Sequence, residues 1–190
     1  MKSFLLFVCS FLLVITFASG APAQSQKRDK PSQTAAPSAA DGQQIDVKPD
    51  RFSGATKITL KPIYLFKKSN QKLAMSLEIK VDPKKSDDDI AFVNFISYSE
   101  YPMNFGDREL HCLIDGKPTS FGVAERGDLA LFPGSAETLF IGIGLNELDQ
   151  MAKGKKVEMR LGSIEWTCSD DVLSALDKFV SAAKQARTSK

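Results

Sequence analysis

The sequence predicts an α+β domain built mainly from an antiparallel β meander, folded into one curved sheet or a small sandwich. Apolar and polar residues alternate at the period of strands in several stretches between residues 58 and 168. Two other stretches carry apolar residues at helical spacing, and they predict a short helix near 147–153 and a C-terminal helix at about 170–187, packed on the sheet. The composition agrees, since 43% hydrophobic and 25% charged residues in a chain of 190 are typical of one globular domain with some extra length.

Residues 1–23 are predicted to be a signal peptide. Lys2 precedes an apolar run of about 14 residues, and small residues follow that run up to Ala23. The run is shorter than the ~20 residues of a membrane-spanning helix, so no stable span is expected after cleavage. We favour cleavage after Ala23, with Gly20 as the alternative site. The pattern is typical of a small exported bacterial protein, secreted or periplasmic, and Cys9 is removed with the signal.

Residues 24–50 are predicted to form a flexible, disordered linker. They are rich in Gln, Ser, Ala, Pro, Lys and Asp, and Ile45 and Val47 are their only large aliphatic residues. Such a composition buries too little apolar surface to offset the entropy lost on ordering the chain. Residues 51–190 are therefore expected to be the single α+β domain.

The first strands show the clearest patterns. Residues 73–81 alternate strictly, which predicts a strand with one buried face and one wet face. In the strand before it, Pro62 lacks a backbone donor and predicts an edge position or a bulge. Residues 90–98 are almost continuously apolar, which predicts a central strand covered on both faces.

Shorter strands follow this central strand. Asp115 and Gly116 predict the turn of a hairpin between the strands at residues 110–114 and 121–123. The alternating stretches that predict these strands are residues 110–114, 121–123, 139–145, 157–161 and 164–168.

The two helices carry recognisable end signals. Asn146 is the expected N-cap of the short helix, and Gly154 follows its end. The longer helix begins after Ser169, and acidic residues occupy its positive first turn. Its apolar stripe consists of Val172, Leu173, Leu176, Phe179, Val180 and Ala183.

Cys112 and Cys168 are the cysteines expected in the mature protein, and both lie at the apolar parity of their strands. In an exported domain, an inward-facing pair predicts a disulfide bond. Its loop of about 57 residues would stabilise the fold by ~4 kcal/mol in the chain-entropy model. The alternative is two separate buried thiols.

Recognisable chemistry is scarce. His111 is the only histidine, and as the strand neighbour of Cys112 it points to the opposite face, so the pair is not expected to act as a base and a nucleophile. No metal site or cofactor is predicted, because a single imidazole excludes multi-histidine sites and no phosphate-binding or dinucleotide motif is present. A formal charge of +2, spread along the chain, argues against nucleic acid as a partner.

One segment, residues 97–107, has the mixture of aromatic and small polar residues found in recognition loops. It predicts a partner-binding loop. The alternative is that the large side chains cap one end of the core. The candidate residues are Tyr98, Tyr101, Met103 and Phe105.

These observations favour an exported, non-catalytic module that binds or scaffolds an unknown protein or an envelope component. A first alternative is a hydrolase that uses carboxylates such as Glu125, Asp128 or Glu165. A second alternative is a carrier whose apolar ligand lies in a cavity lined by Phe92, Phe95 and Phe140.

Overall fold

The computed structural model describes residues 44–68, 70–84, 89–99, 103, 105–127 and 137–188. The predicted signal peptide and most of the predicted linker lie outside these residues. Within them the chain forms ten strands and two helices. The strands are β1 (Ile45–Pro49), β2 (Thr56–Lys68), β3 (Gln71–Val81), β4 (Ile90–Ser99), β5 (Glu109–Ile114), β6 (Lys117–Val123), β7 (Glu125–Arg126), β8 (Glu137–Gly144), β9 (Val157–Leu161) and β10 (Ile164–Thr167). The helices are α1 (Leu145–Lys153) and α2 (Asp170–Thr188).

The strands form two sheets, and neighbouring strands pair antiparallel throughout. The six-stranded sheet has the order β1-β2-β3-β4-β8-β7, and the four-stranded sheet has the order β10-β9-β5-β6. One cluster of buried side chains draws on both sheets and both helices. Where the sheets meet, the ring of Phe95 on β4 lies edge-on to Trp166 on β10, with centroids 6.0 Å apart. The predicted α+β class with an antiparallel meander is confirmed, and its form is a small sandwich.

Helix α2 confirms its predicted start and its predicted stripe. The Val172 backbone N–H donates to the Ser169 hydroxyl, 3.4 Å away, so Ser169 caps the helix. Asp170 and Asp171 occupy the first turn, where carboxylates offset the exposed N–H groups. All six residues of the predicted stripe are buried, together with Ala175.

Helix α1 begins earlier than predicted, and Asn146 is not its N-cap. Strand β8 runs directly into the helix, so Gly144 precedes the first helical residue. The Leu145 N–H donates to the Asp89 carbonyl, 2.9 Å away, so a neighbouring segment supplies the acceptor for one of the N–H groups that the helix itself leaves unpaired. At the other end, Gly154 follows the helix as predicted, and its N–H donates to the Met151 carbonyl.

The outer face of the six-stranded sheet differs from the prediction. Ala74 and Ser76, expected on a wet face of β3, are buried, whereas Phe92 on β4, expected to be covered, is 53% exposed. Tyr64 and Tyr98, from the strands on either side of β3, have ring centroids 6.3 Å apart. Tyr64 lies directly opposite Ala74, a cross-strand neighbour that alternation along a single strand does not reveal.

The ordered fold begins inside the predicted linker. Ile45 packs against the core and lies opposite Leu60, so residues 45–49 form an edge strand rather than a linker. Val47 is 50% exposed, and its contribution is mainly to strand pairing. The bulge predicted at Pro62 is confirmed, since the register of β2 with β3 shifts between Leu60 and Ile63.

Two turns fix the ends of the four-stranded sheet. Asp115, at φ 50°, occupies the β5–β6 turn, and its carboxylate accepts the N–H groups of Lys155 and Lys156, both 2.9 Å away. Gly162, at φ 57°, occupies the β9–β10 turn, and its N–H donates to the Glu109 carbonyl, 3.0 Å away. A Cβ at Gly162 would overlap the Phe105 carbonyl oxygen. The sheet is thus held at both ends by contacts outside its ladder.

Gly162→Ala should therefore destabilise the fold more than Gly116→Ala. Both glycines have positive φ, but the space around Gly116 is open. Left-handed backbone costs an alanine about 1–2 kcal/mol in either case. Displacing the Phe105 carbonyl adds roughly 1–3 kcal/mol at Gly162 alone. Urea unfolding of both variants measures the difference, and equal losses would contradict the close approach.

Candidate functional site

The outer face of the four-stranded sheet carries a groove of about 540 Å³, which we name the outer groove. It crosses all four strands. The inward side chains of its lining residues Cys112, Met159 and Trp166 are buried, so their backbone forms the floor and the outward side chains form the walls. A groove of this volume lies within the range of small-ligand sites.

The strand register arranges the outward side chains in two rows across the sheet. Each row has one residue from each strand, in the order β10, β9, β5 and β6. The first row is Glu165, Arg160, His111 and Ser120. The second row is Thr167, Glu158, Leu113 and Pro118. The rows lie two residues apart along each strand, or about 6.7 Å.

His111 points into the outer groove while Cys112 is buried, which confirms that they face opposite sides. The His111 Nε2 lies 3.2 Å from Glu109 Oε2. Ser120 donates its hydroxyl to the other oxygen of the same carboxylate, 3.3 Å away. Glu109 thus holds both side chains at one edge of the groove.

This trio does not have the order that nucleophilic catalysis needs. In a serine hydrolase the imidazole lies between the hydroxyl and the carboxylate, so that it can take the hydroxyl proton. Here the Glu109 carboxylate lies between Ser120 and His111. The arrangement positions two hydrogen-bonding groups beside the groove and leaves the serine without an imidazole base.

Two ionic groups of the outer groove have no partner in the described part of the chain. The Glu158 carboxylate lies 3.0 Å from the Lys156 Nζ and pairs with it. The Glu109 carboxylate contacts His111 and Ser120. Arg160 and Glu165, both exposed, make no side-chain ion pair or hydrogen bond with any residue the structure describes. These two side chains are therefore available to a ligand.

No family model, curated protein or solved structure matches this chain. Within the described ranges, no three His, Cys, Asp or Glu side chains converge where a metal ion could bind. Neither described helix is long and apolar enough to cross a membrane.

The two cysteines are buried free thiols in the structure. Burial raises the pKa of Cys112 to about 11. Burial, and then the nearby Cys112, raise the pKa of Cys168 to about 12. The nearby Trp166 indole N–H lowers the pKa of Cys168 and offsets part of this rise. The indole nitrogen makes no hydrogen bond of regular geometry with a described residue. Both sulfurs are therefore protonated and unreactive at neutral pH.

Strand β9 separates the two cysteines. Cys112 on β5 lies opposite Met159, and on the other side of β9 the Cys168 N–H donates to the Val157 carbonyl. Two strand spacings put the two Cα atoms roughly 10 Å apart, whereas a disulfide needs less than ~7 Å. The disulfide stays a prediction from the sequence.

The segment predicted to bind a partner is largely packed into the protein. Met103 and Phe105 are buried in the core, as the alternative of a core cap requires. Tyr98 lies on β4, half-buried, against Tyr64. Tyr101 lies outside the described residues. Two of the four candidate side chains are therefore inaccessible to a partner.

The residues proposed for the alternative functions are not brought together. Glu125 lies on the six-stranded sheet and Glu165 on the four-stranded sheet, and Asp128 lies outside the described residues. Phe95 faces the core, whereas Phe92 points to the opposite face of β4. Phe140 is opposite Asn94, at the parity of Phe92, so the three rings do not line one cavity.

Arg160 is a site residue that the sequence did not predict. Its outward parity follows from the alternation of residues 157–161, so the side chain could have been placed on a wet face. Its neighbours Glu165 and His111 come from other strands, however. Their positions opposite Arg160 depend on the strand register, which local sequence patterns do not contain.

Native protein in reducing buffer should show no reaction of either cysteine with a thiol reagent at pH 7.5, because both sulfurs are buried and protonated. Labelling followed by mass spectrometry measures this. In denaturant without reductant, labelling of both cysteines would indicate free thiols, whereas the absence of labelling would indicate the predicted disulfide. Rapid labelling of the native protein would contradict the burial of the sulfurs.

The free energy of unfolding in reducing buffer should fall as the pH rises above about 9. The unfolded chain releases its thiol protons near the ordinary pKa of 9.0, whereas the folded chain keeps them until about 11 or 12, so alkali favours the unfolded state. Urea unfolding between pH 8 and 10.5 measures the slope. The Cys112→Ala/Cys168→Ala variant should show a shallower fall, and an identical slope would contradict the raised pKa values.

Proposed function

We propose that this protein is an exported, non-catalytic binding module of the cell envelope or periplasm, and that its ligand occupies the outer groove. The observation that carries the proposal is that Arg160 and Glu165, two charged side chains of the first row, have no ion-pair partner among the described residues and lie beside an exposed apolar side chain. Leu113, in the adjacent row, is 40% exposed. Ligand sites combine apolar contact area with a few oriented polar groups in this way. The signal-peptide pattern of residues 1–23 supports export.

A rigid floor also favours binding as the role of this face. The floor is a hydrogen-bonded sheet whose inner side chains belong to the core, so its geometry exists before any ligand arrives. Preorganised groups lose little conformational entropy on binding. The face is thus able to recognise a ligand without a large rearrangement of its backbone.

A carboxylate hydrolase is the second candidate, because Glu158 and Glu165 are diagonal neighbours on β9 and β10. Diagonal cross-strand residues lie about 7–8 Å apart, which is compatible with a pair of glycosidase carboxylates. A general acid of this kind needs burial to retain its proton at neutral pH. Glu165 is exposed and Glu158 is paired with Lys156, so the geometry supports binding better.

Site-specific photo-crosslinking in the native cells tests the proposal. A photoreactive phenylalanine analogue at Leu113 should capture a discrete partner, because that position lies in the outer groove. The same analogue at Phe92, which is exposed on the six-stranded sheet, is the matched control. Capture from Phe92 alone, or from neither position, would count against the outer groove as the binding site.

Protein from the periplasmic or secreted fraction should begin at Gln24, and retention of residues 1–23 would count against export.

A further inference from the structure

We propose that the ligand of the outer groove is an extended peptide segment of another protein, which carries an acidic residue and an apolar residue two positions apart. In this arrangement the acidic side chain binds Arg160 and the apolar side chain binds Leu113 and Pro118. The inference rests on the proposed function and names the chemistry of its partner.

Arg160 is the group best placed to receive a carboxylate. It lies on β9, an inner strand of the four-stranded sheet, between Glu165 and His111 in the first row. Its guanidinium has no ion pair or hydrogen bond with any residue in the described ranges. A guanidinium presents several N–H donors in one plane, and a carboxylate can accept two of them at once.

The carboxylates around Arg160 leave this position open. Glu109 accepts a hydrogen bond from Ser120, and Glu158 pairs with Lys156. Glu165 is the one neighbouring carboxylate in the row, and it lies on the edge strand β10 without an ion pair to Arg160 or to any other described residue. Arg160 is therefore the group of this row that an incoming acid contacts.

The spacing of the two rows favours a peptide in extended conformation. Arg160 belongs to the first row and Leu113 to the second, and the rows lie about 6.7 Å apart along the strands. In an extended peptide, residues i and i+2 project to the same side with the same spacing. A peptide that runs along the strands can therefore place one side chain on each row. Pro118, next to Leu113, extends the apolar contact.

The probe is a library of random seven-residue peptides displayed on phage and selected against the exported protein purified from its cells. Selection should enrich peptides in which Asp or Glu lies two positions from Leu, Ile, Val or Phe. The best selected peptide is then synthesised with a fluorophore and titrated with protein variants by anisotropy.

Arg160→Ala should weaken binding of this peptide by about tenfold or more, the loss expected for a charge-assisted hydrogen bond. Lys61→Ala, the matched control, removes an exposed cation on the six-stranded sheet, outside the outer groove, and should bind as well as the native protein. Arg160→Glu should select peptides with Lys or Arg in place of the acid. Thermal unfolding should show that all three variants fold, because both side chains are exposed.

Enriched peptides without an acidic residue, or equal binding to Arg160→Ala, would overturn the peptide proposal. If Leu113 still captures a partner in cells, the outer groove remains a binding site for a ligand of other chemistry. Failure of both the selection and the Leu113 crosslink would overturn the peptide proposal and the proposed function together.

Discussion

The four-stranded sheet depends on burying one face against the six-stranded sheet. Its strands are short, and they become stable only by placing alternate side chains in the common core. The edge-on contact between Phe95 and Trp166 marks this junction, and contacts of this type contribute about 0.5–1.5 kcal/mol beyond the apolar area that they bury. Because Trp166 must face inward, Glu165 and Thr167 must face outward. The chemistry of the outer groove is therefore set by how the core packs.

The same constraint explains which parts of the protein could be predicted. Parity along one strand is a local property, so the outward position of His111 beside the buried Cys112 follows from the sequence. The apolar stripe of α2 is local in the same sense, and Ser169 caps the helix as expected. The position of Arg160 opposite Glu165 depends on strands that meet only in the folded chain. The groove could not be foreseen without that register.

Small residues account for other differences. Ala74 and Ser76 carry no strong preference for water or for the core, so alternation along β3 misplaces them, because their burial depends on neighbouring strands such as β2, where Tyr64 lies opposite Ala74. The N-terminus of α1 shows a related effect. Asn146 is a good capping residue, but the Asp89 carbonyl already accepts the first helical N–H, and the helix starts two residues earlier. In both cases a contact from a distant segment overrides a local preference.

The contacts at the two turns of the four-stranded sheet have a further consequence. The carboxylate of Asp115 holds the entry to β9, and Gly162 is seated against the Phe105 carbonyl at its exit. The strand that carries Arg160 is thus clamped at both ends and cannot slide relative to β5. A shift of two residues would preserve the hydrophobic parity of β9 yet pair Arg160 with a different neighbour on each side. These two contacts therefore fix which side chains lie next to Arg160 on the outer face. Alternation of apolar and polar residues alone would also allow a register of β9 shifted by two residues.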